Sequence, residues 1–434
     1  MTKDFYVCAR WSMKAPGAAG PLAGGIVYPC GIPRPTLDRR NLSKTYPHLR
    51  RRLFDPQLYL AGLNPARATR ACTNLASYGW FGVNLPRFDS SKFTQAEWKG
   101  TASKGIAKDW KGGLPEDGNE IQAIVDTCVS FQRDLGCEAV ILPGPLTVSL
   151  SDDYERELIW LDAGLKAASK LSPGLQAWPT VAISDTCLRG QKPISNRLLD
   201  VIVDQITARG CAGVYLVLEQ ANEQGAVCSH SNTLGSVLRL VGGLAQGRIR
   251  VTVSHLGMAG LLALAAGASA WTTGWYRGER RLKLADFEGT EGRTVPTFYS
   301  HALASDIHLE SDMDRLVEAG FLDRVQDETG ASAGLLRAIA TGTKVASVPE
   351  WKHSFSNVTA AKEHYVWVAA RETAVLAQLK TQTEVDTYMT GWLDGAEQLM
   401  NDLFAVGNFH DKTGLGHQAT WRQVWATFQT ERDS

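Results

Sequence analysis

Short apolar runs alternate with longer stretches of helical periodicity from residue 58 to residue 281. Such alternation is typical of repeated strand–helix units that form a parallel sheet. Strands are predicted at 58–61, 80–84, 139–142, 180–184, 214–218, 250–254 and 270–273. The helices between them are predicted at 65–78, 119–135, 153–171, 194–209, 232–245 and 258–266.

A further apolar run at 5–9 brings the predicted strands to eight, the number in a closed (β/α)8 TIM barrel. We therefore expect an α/β TIM barrel with an inserted loop at 86–118 and a C-terminal helical extension. Helices at 357–380 and 384–404 are predicted in that extension. The expected domains are an irregular, basic N-terminal segment with the first strand (1–57), the barrel (58–285) and a mainly helical extension packed on the barrel (286–434).

The composition is that of an ordinary globular chain, because 44% of its 434 residues are hydrophobic and 21% are charged. Basic and acidic residues balance at 45 each, so a nucleic-acid partner would need a local basic surface. No apolar stretch approaches the ~18 residues of a membrane helix, and the N-terminus lacks the apolar core of a signal peptide. We expect a cytoplasmic protein without a membrane partner, and the sequence leaves the oligomeric state open.

The eight cysteines are scattered, and none forms a Cys-x-x-Cys pair. This spacing favours buried thiols over a disulfide framework or a zinc site. The nine histidines show no metal-binding spacing, and the chain has no P-loop or dinucleotide-binding glycine motif. We therefore expect no metal and no cofactor.

Two carboxylates follow apolar runs directly. Glu219 ends Val214-Tyr-Leu-Val-Leu218, and Asp185 ends Val181-Ala-Ile-Ser184. The carboxyl ends of barrel strands surround the active site of a TIM barrel, and burial there can tune a carboxyl pKa for acid–base chemistry. Both residues are candidate catalytic groups. The structural alternative for Glu219 is a carboxylate bound to a neighbouring arginine or backbone amide, and for Asp185 it is capping of the following turn.

His255 and Arg277 occupy similar positions after the last two predicted strands. His255 follows Arg250-Val-Thr-Val-Ser254 and is a candidate acid, base or ligand, with hydrogen-bonded scaffolding as the alternative. Arg277 lies where barrels often bind phosphate, and its planar guanidinium suits that anion. A surface ion pair with Glu279 is the competing interpretation of Arg277.

Two segments carry a local signal for nucleic acid. Basic residues cluster at 34–52, and lysines alternate with aromatic residues at 86–111. Lysine and arginine neutralise phosphates, and aromatic faces stack on extruded bases. The predicted backbone-binding residues are Arg39, Arg40, Lys44, Arg50, Arg51, Arg52, Lys104, Lys108 and Lys111.

The chain resembles the tRNA-guanine transglycosylase superfamily, which includes relatives that act on DNA bases. The resemblance lies in the layout of 58–281, above all in Arg250-Val-Thr-Val-Ser-His-Leu-Gly257 and Gly267-Ala-Ser-Ala-Trp-Thr-Thr273. In the tail, Lys362-Glu-His-Tyr-Val-Trp-Val368 with Arg371 and Glu372 is similar to the helix that follows the zinc segment of the family.

The departures from the family bear on the reaction. Thr272 or Thr273 stands where the family has its nucleophilic aspartate, and the clustered zinc cysteines and the Asp-Ser-Gly-Gly segment are missing. The resemblance therefore implies removal of a base in place of base exchange. Base-excising relatives occur among antiviral defence proteins that attack modified phage DNA, so it also implies such a role.

The leading prediction is a DNA glycosylase, an N-glycosyl hydrolase that releases a modified base, with DNA favoured over RNA as the partner. It assigns the chemistry to Glu219, Asp185 and His255. The predicted substrate-binding residues are Gln220, Trp271, Thr272, Trp275, Tyr276 and Arg277.

Three alternatives stay open. The first is a transglycosylase that exchanges a base in tRNA or DNA. The second is a barrel hydrolase or lyase that acts on a small sugar or a phosphorylated metabolite. The third is an inactive barrel that serves as a nucleic-acid-binding scaffold.

Overall fold

The structure is a computed structural model that describes most of the chain. The described residues are 3–9, 17, 19–38, 49, 51–64, 67–78, 80, 114–149, 154–172, 174–223, 227–274, 276, 279–288, 296–352, 359–410 and 413–433.

A curled sheet of parallel strands forms the centre of the fold. Its strands are β1 (Asp4–Cys8), β2 (Gly25–Pro29), β3 (Arg51–Asp55), β4 (Ala139–Leu142), β5 (Leu146–Thr147), β6 (Gln176–Ser184), β7 (Gly213–Glu219), β8 (Arg250–Ser254) and β9 (Ala270–Gly274). The spatial order is β3-β2-β1-β9-β8-β7-β6-β4, with the short β5 beside β6.

The curl of the sheet brings its two edge strands, β3 and β4, together. Within the sheet, the strands that come first and last along the chain, β1 and β9, are neighbours, and Asp4 pairs with Ala270. At the edges, the amide of Glu138, just before β4, donates to the carbonyl of Arg52 in β3 at 2.9 Å. The fold is therefore a barrel-like α/β fold.

Helices connect the strands. They are α1 (Arg34–Asp38), α2 (Thr69–Leu75), α3 (Gly118–Leu135), α4 (Glu155–Ala168), α5 (Arg197–Ala208), α6 (Ser231–Gln246) and α7 (Gly260–Ala265). Local signals set the ends of α3, since the Asp117 side chain accepts from the amides of Asn119 and Glu120. The helix stops at Gly136, whose φ of 74° is easy for glycine and costly for other residues.

Most of the predicted strands are confirmed, namely those at 5–9, 139–142, 180–184, 214–218, 250–254 and 270–273. The strand predicted at 58–61 is wrong, because Leu58–Leu60 is a 3-10 turn that follows Gln57 in the left-handed region. At 80–84, Trp80 is helical and the other residues lie outside the described part of the chain.

The sheet begins at Asp4, so residues 1–57 supply three of its strands, two more than were predicted there. The basic residues at 34–52 include the start of β3, whose first two residues are arginines. This charge made the strand hard to predict. Arg51 is accommodated because its guanidinium lies 2.7 Å from the Asp4 carboxylate and donates to the carbonyl of Gly24 at 3.0 Å. An ion pair with a residue of β1 therefore accommodates a partly exposed charged side chain at the start of β3.

After β9, the chain forms a second apolar core around an antiparallel hairpin, β10 (Thr297–Ser300) and β11 (Ser305–His308). The helices here are α8 (Ala285–Glu288), α9 (Asp314–Glu318), α10 (Leu322–Val325), α11 (Ala333–Ala340), α12 (Thr359–Gln378), α13 (Gln382–Phe404) and α14 (His417–Asp433). The predictions at 357–380 and 384–404 are confirmed, and α14 was not predicted.

The last helices pack against the barrel-like sheet and its connections. The indole of Trp421 in α14 donates to the carbonyl of Cys228 at 2.8 Å, and Tyr365 of α12 lies in the barrel core. Among the helices of the described residues, none is both long enough and apolar enough to cross a membrane.

Candidate active site

The side chains at the carboxyl ends of the strands can be placed from the strand register. Paired residues of neighbouring parallel strands point to the same face of a sheet. Ser184 pairs with Glu219, and Ser254 pairs with Thr272. Tyr215 shares a face with Glu219, and its hydroxyl crosses the interior to the carboxylate of Asp55 at 3.2 Å. Glu219 therefore faces the interior of the curled sheet, and we call this end the barrel mouth.

Glu219 is a buried carboxyl group with few partners. Its side chain accepts from the Ser184 hydroxyl at 2.5 Å and from the amide of Leu284 at 3.5 Å. Burial raises the pKa of Glu219, and the negative charge of Asp185 adds to the rise, while the two hydrogen bonds oppose it. Glu219 is therefore closer to its protonated form at neutral pH than an exposed glutamate.

Asp185 is completely buried and is occupied by protein donors. Asp185 accepts a hydrogen bond from the backbone N–H of Asn222 at 3.1 Å and a second from the side-chain amide of Asn222 at 2.8 Å. Arg189 approaches to 3.4 Å. These contacts tie the turn after β6 to the loop after β7. Asp185 therefore lies next to Glu219, but its oxygens are already engaged.

His255 is buried at the end of β8, and its ring is neutral at neutral pH. Burial lowers the pKa of His255 to about 4, and its Nδ1 lies 2.7 Å from the Ser254 hydroxyl. Its φ of 62° is in the left-handed region, which is unfavourable for a residue with a side chain. The carbonyl of His255 accepts from the Gln220 side chain at 2.7 Å. A neutral ring in this place can accept or donate a hydrogen bond but carries no charge.

Asp55 was not predicted, yet it is the second buried carboxyl group that faces the interior. It is 1% exposed at the end of β3 and accepts from the hydroxyls of Tyr59 at 2.6 Å and Tyr215 at 3.2 Å, and from the amide of Gln57 at 3.0 Å. Burial raises the pKa of Asp55 to about 6, although these hydrogen bonds lower it. The signal was present in the sequence, because Leu53 and Phe54 precede Asp55 as apolar residues precede Glu219.

The raised pKa of Asp55 predicts a specific dependence of stability on pH. Folding raises this pKa from 3.8 to about 6, so the folded state binds the proton more tightly than the unfolded chain. The contribution to stability is complete below about pH 4 and is lost as pH rises through about 6. It amounts to about 3 kcal/mol, since each pKa unit corresponds to ~1.4 kcal/mol.

Asp55→Asn should therefore flatten the decline in the free energy of unfolding between about pH 4 and pH 7. Chemical denaturation at several pH values measures this, with Asp134→Asn as a control because Asp134 is 67% exposed. Parallel curves for wild type and Asp55→Asn would show that Asp55 is not the group responsible.

Gln220 and Thr272 combine burial with polar atoms that lack partners. Both are 1% exposed, and Gln220 Oε1 and Thr272 Oγ1 have no hydrogen-bond partner among the described residues. Buried polar atoms without partners are uncommon and often mark a place where a ligand or water binds. Gln220 follows β7 directly and Thr272 lies within β9, with β8 between the two strands. Both residues were predicted to bind substrate.

Trp271 lies on the opposite face of the sheet from Thr272. Its ring is fully buried 4.9 Å from the ring of Phe5, and its indole N–H donates to the Thr373 hydroxyl at 2.7 Å. The structure therefore does not bring Trp271 together with Glu219. The ring of Tyr276 lies 3.9 Å from the Lys362 ammonium. The predicted residues Trp275 and Arg277 are outside the described ranges.

The predicted backbone-binding residues give no support for a nucleic-acid partner where they are described. Arg51 and Arg52 begin β3, at the opposite end of the strands from Glu219, and Arg51 pairs with Asp4. The remaining predicted residues are not among those described: Arg39, Arg40, Lys44, Arg50, Lys104, Lys108 and Lys111.

Residues 279–284, which we call the strap, cross the mouth after β9. Leu282 bridges to Glu219, and the carbonyl of Leu282 accepts from the amide of Gln220 at 2.7 Å. Arg281 and Lys283 both donate to the carbonyl of Glu223, at 3.1 Å and 3.0 Å. The strap therefore places two cations beside the mouth that the sequence analysis did not single out.

The fold and these side chains define a barrel-like α/β protein with buried carboxyl groups at its strand ends. Within the described ranges, no group of three or more His, Cys, Asp or Glu side chains is arranged to hold a metal ion. Comparison with protein-family models and with curated proteins finds no match for the chain. The resemblance to the transglycosylase superfamily therefore stays a prediction.

Proposed function

We propose that this protein is a hydrolase that cleaves the N-glycosidic bond of a base in nucleic acid. The observation that carries the proposal is the pair of buried carboxyl groups, Glu219 and Asp55, that face one interior from β7 and β3. Two carboxyl groups of raised pKa are suited to divide acid and charge-stabilising roles in glycosidic cleavage.

In this proposal, protonated Glu219 donates its proton to a ring nitrogen of the leaving base as the bond from that base to C1′ breaks. The carboxylate form of Asp55 stabilises the positive charge that develops on the sugar. Water then adds hydroxide to C1′ and releases one proton, which restores Glu219. The products are the free base and a sugar with a hydroxyl group at C1′.

We further infer that the curled sheet is a closed (β/α)8 barrel. The hydrogen bond from Glu138 to the carbonyl of Arg52 supports closure between β4 and β3, and the strands follow one another in sequence order around the ring. Closure matters to the mechanism because it excludes water from both carboxyl groups and so maintains their raised pKa values.

Nucleic acid is the proposed substrate because cations flank the mouth. Lys283 and Arg281 of the strap lie there, Arg281 paired with Asp286 at 3.2 Å, and Arg189 approaches Asp185 with 29% of its side chain exposed. A base must leave the stack to reach a buried acid, and cations can hold the flanking phosphates. Release of free base from DNA and RNA oligonucleotides, modified and unmodified, tests this directly. No base release from any of them would remove the proposal.

The second candidate is a hydrolase of small glycosides such as nucleosides. The position of the strap favours this second candidate. Leu282 of the strap is 1% exposed, and its carbonyl accepts a hydrogen bond from Gln220 at the end of β7, so the strap lies over the mouth and favours a small substrate. Free nucleosides offered beside oligonucleotides distinguish the two. If substrate binding weakens steeply as the salt concentration rises, the protein contacts phosphates and the substrate is nucleic acid. If substrate binding does not depend on salt, the small glycoside is the substrate.

A further inference from the structure

The strap is held from two sides. Toward the barrel, its main chain bonds to Gln220 through the carbonyl of Leu282 at 2.7 Å and to Glu219 through the amide of Leu284 at 3.5 Å. Leu256 bridges to Arg281 from the loop after β8. These contacts mean that the position of the strap sets the surroundings of Glu219 and the direction of Gln220.

Away from the barrel, one strap side chain enters the C-terminal part of the chain. The guanidinium of Arg280 donates from Nη1 to both oxygens of Asp306 in β11, each at 3.0 Å. Its centre lies 3.3 Å from the ring centroid of Tyr365 in α12. Asp306 is itself fixed, because it accepts from the Thr297 hydroxyl at 3.0 Å. Asp306 of β11 and Tyr365 of α12 thus hold Arg280.

The burial of Arg280 shows that this attachment is specific. The residue is 5% exposed, and its Nε has no hydrogen-bond partner in the described part of the chain. Burying a guanidinium with an unused donor is unfavourable unless its remaining contacts have excellent geometry. Stacking on Tyr365 and pairing with Asp306 require the flat, delocalised cation of arginine, which lysine does not reproduce.

We propose that Arg280 is a positioning residue through which the C-terminal part of the chain holds the strap over the barrel mouth and so keeps Gln220 and Glu219 in place. The C-terminal part then acts on the mouth through the strap. Arg280 holds the strap through its contacts with Asp306 and Tyr365, and the effect of the strap on base release rests on the proposed function.

Amide hydrogen exchange tests whether Arg280 holds the strap, without a substrate. In Arg280→Lys, the amides of Gln220 and Leu284 should exchange at least tenfold faster than in wild type, while the Val253 amide in β8 stays protected. Arg324→Lys is the matched control, because Arg324 pairs with Asp402 at 2.5 Å and lies 5.2 Å from the ring of Phe321, but is 45% exposed. This control should leave both mouth amides unchanged.

Asp306→Asn is the second variant, because it keeps the shape of the side chain if Arg280→Lys proves too damaging to fold. It should also speed exchange at Gln220 and Leu284. Unchanged exchange at both amides in either folded variant would overturn the proposal. So would equal acceleration at Val253, which would mean that Arg280 only supports global stability.

The pH profile of base release gives a readout that a purely structural role would not move. Burial is the main cause of the raised pKa of Glu219, and the smaller contributions of the Leu284 amide and the Lys283 charge oppose it. Because burial is the largest of these, a loosened strap that admits water should shift the alkaline limb of kcat/KM to lower pH in Arg280→Lys. If amide exchange becomes faster but the alkaline limb of the kcat/KM profile does not shift, the strap does not influence the proton donor, and the effect on base release is excluded. Full activity of Glu219→Gln would instead remove the proposed function and leave the exchange result standing.

Discussion

Glu219→Gln is expected to lower the rate of base release by about 10²–10⁴-fold, the usual contribution of a general acid, while the protein stays folded. The amide keeps the size of the carboxyl group and can still accept from the Ser184 hydroxyl, but it has no proton to give at neutral pH. The alkaline limb of the pH profile should vanish with it, because in wild type the rate falls as Glu219 loses its proton.

Glu310→Gln is the matched control for this experiment. Glu310 is exposed and follows β11, far along the chain from the mouth, so the same chemical change there should leave the rate and the pH profile intact. A Glu219→Gln variant with the wild-type rate would exclude Glu219 as the acid. The proposed release of a base from nucleic acid would be excluded with it, since that mechanism assigns the proton to Glu219.

Trp271→Ala should lower the free energy of unfolding by about 3–5 kcal/mol, the range for deleting a large aromatic side chain from a core. The indole is 0% exposed, packs on Phe5 and bonds to Thr373. Gly260 has no side chain because a Cβ atom there would lie 2.2 Å from the indole ring. So close a fit leaves a cavity when the ring is removed, and chemical denaturation measures the cost.

Trp271→Phe separates packing from substrate binding. We expect a smaller loss of stability and wild-type base release, because the ring lies on the face of the sheet away from Glu219. A folded Trp271→Phe protein with strongly weakened substrate binding would contradict this. It would restore the sequence-based prediction that Trp271 contacts the substrate.

The sequence was sufficient to predict β1, β4 and β6 to β9, because their apolar runs are continuous and, from β4 to β9, helices of clear periodicity separate most of them. It was insufficient for β2 and β3. The run Gly25-Ile-Val-Tyr-Pro29 is short and surrounded by glycine and proline, and β3 starts with Arg51 and Arg52. Only a partner distant in sequence, Asp4, explains why a charged residue fits there.

The position of the candidate site could be predicted from the sequence, but the different role of each residue in it could not. Glu219, Asp185 and His255 all end strands or follow them directly, as the pattern indicated. The hydrogen-bond partners of these residues differ, and the periodicity of the sequence does not reveal them. Asn222 donates to Asp185, whereas Glu219 accepts from one hydroxyl and, at a longer distance, from one backbone amide. Asp55 was missed because its strand was placed at 58–61, beyond the carboxyl group itself.

The pairing of β1 with β9 has a consequence for synthesis on the ribosome. Asp4 emerges early, but its partner Ala270 follows only after most of the chain has been made, which takes on the order of tens of seconds at typical elongation rates. Until then, the edges of β1 and β8 offer unpaired backbone groups to any passing strand. A nascent or truncated chain that ends before Ala270 should therefore be insoluble or bound to chaperones, whereas one that extends past β9 has both edges covered.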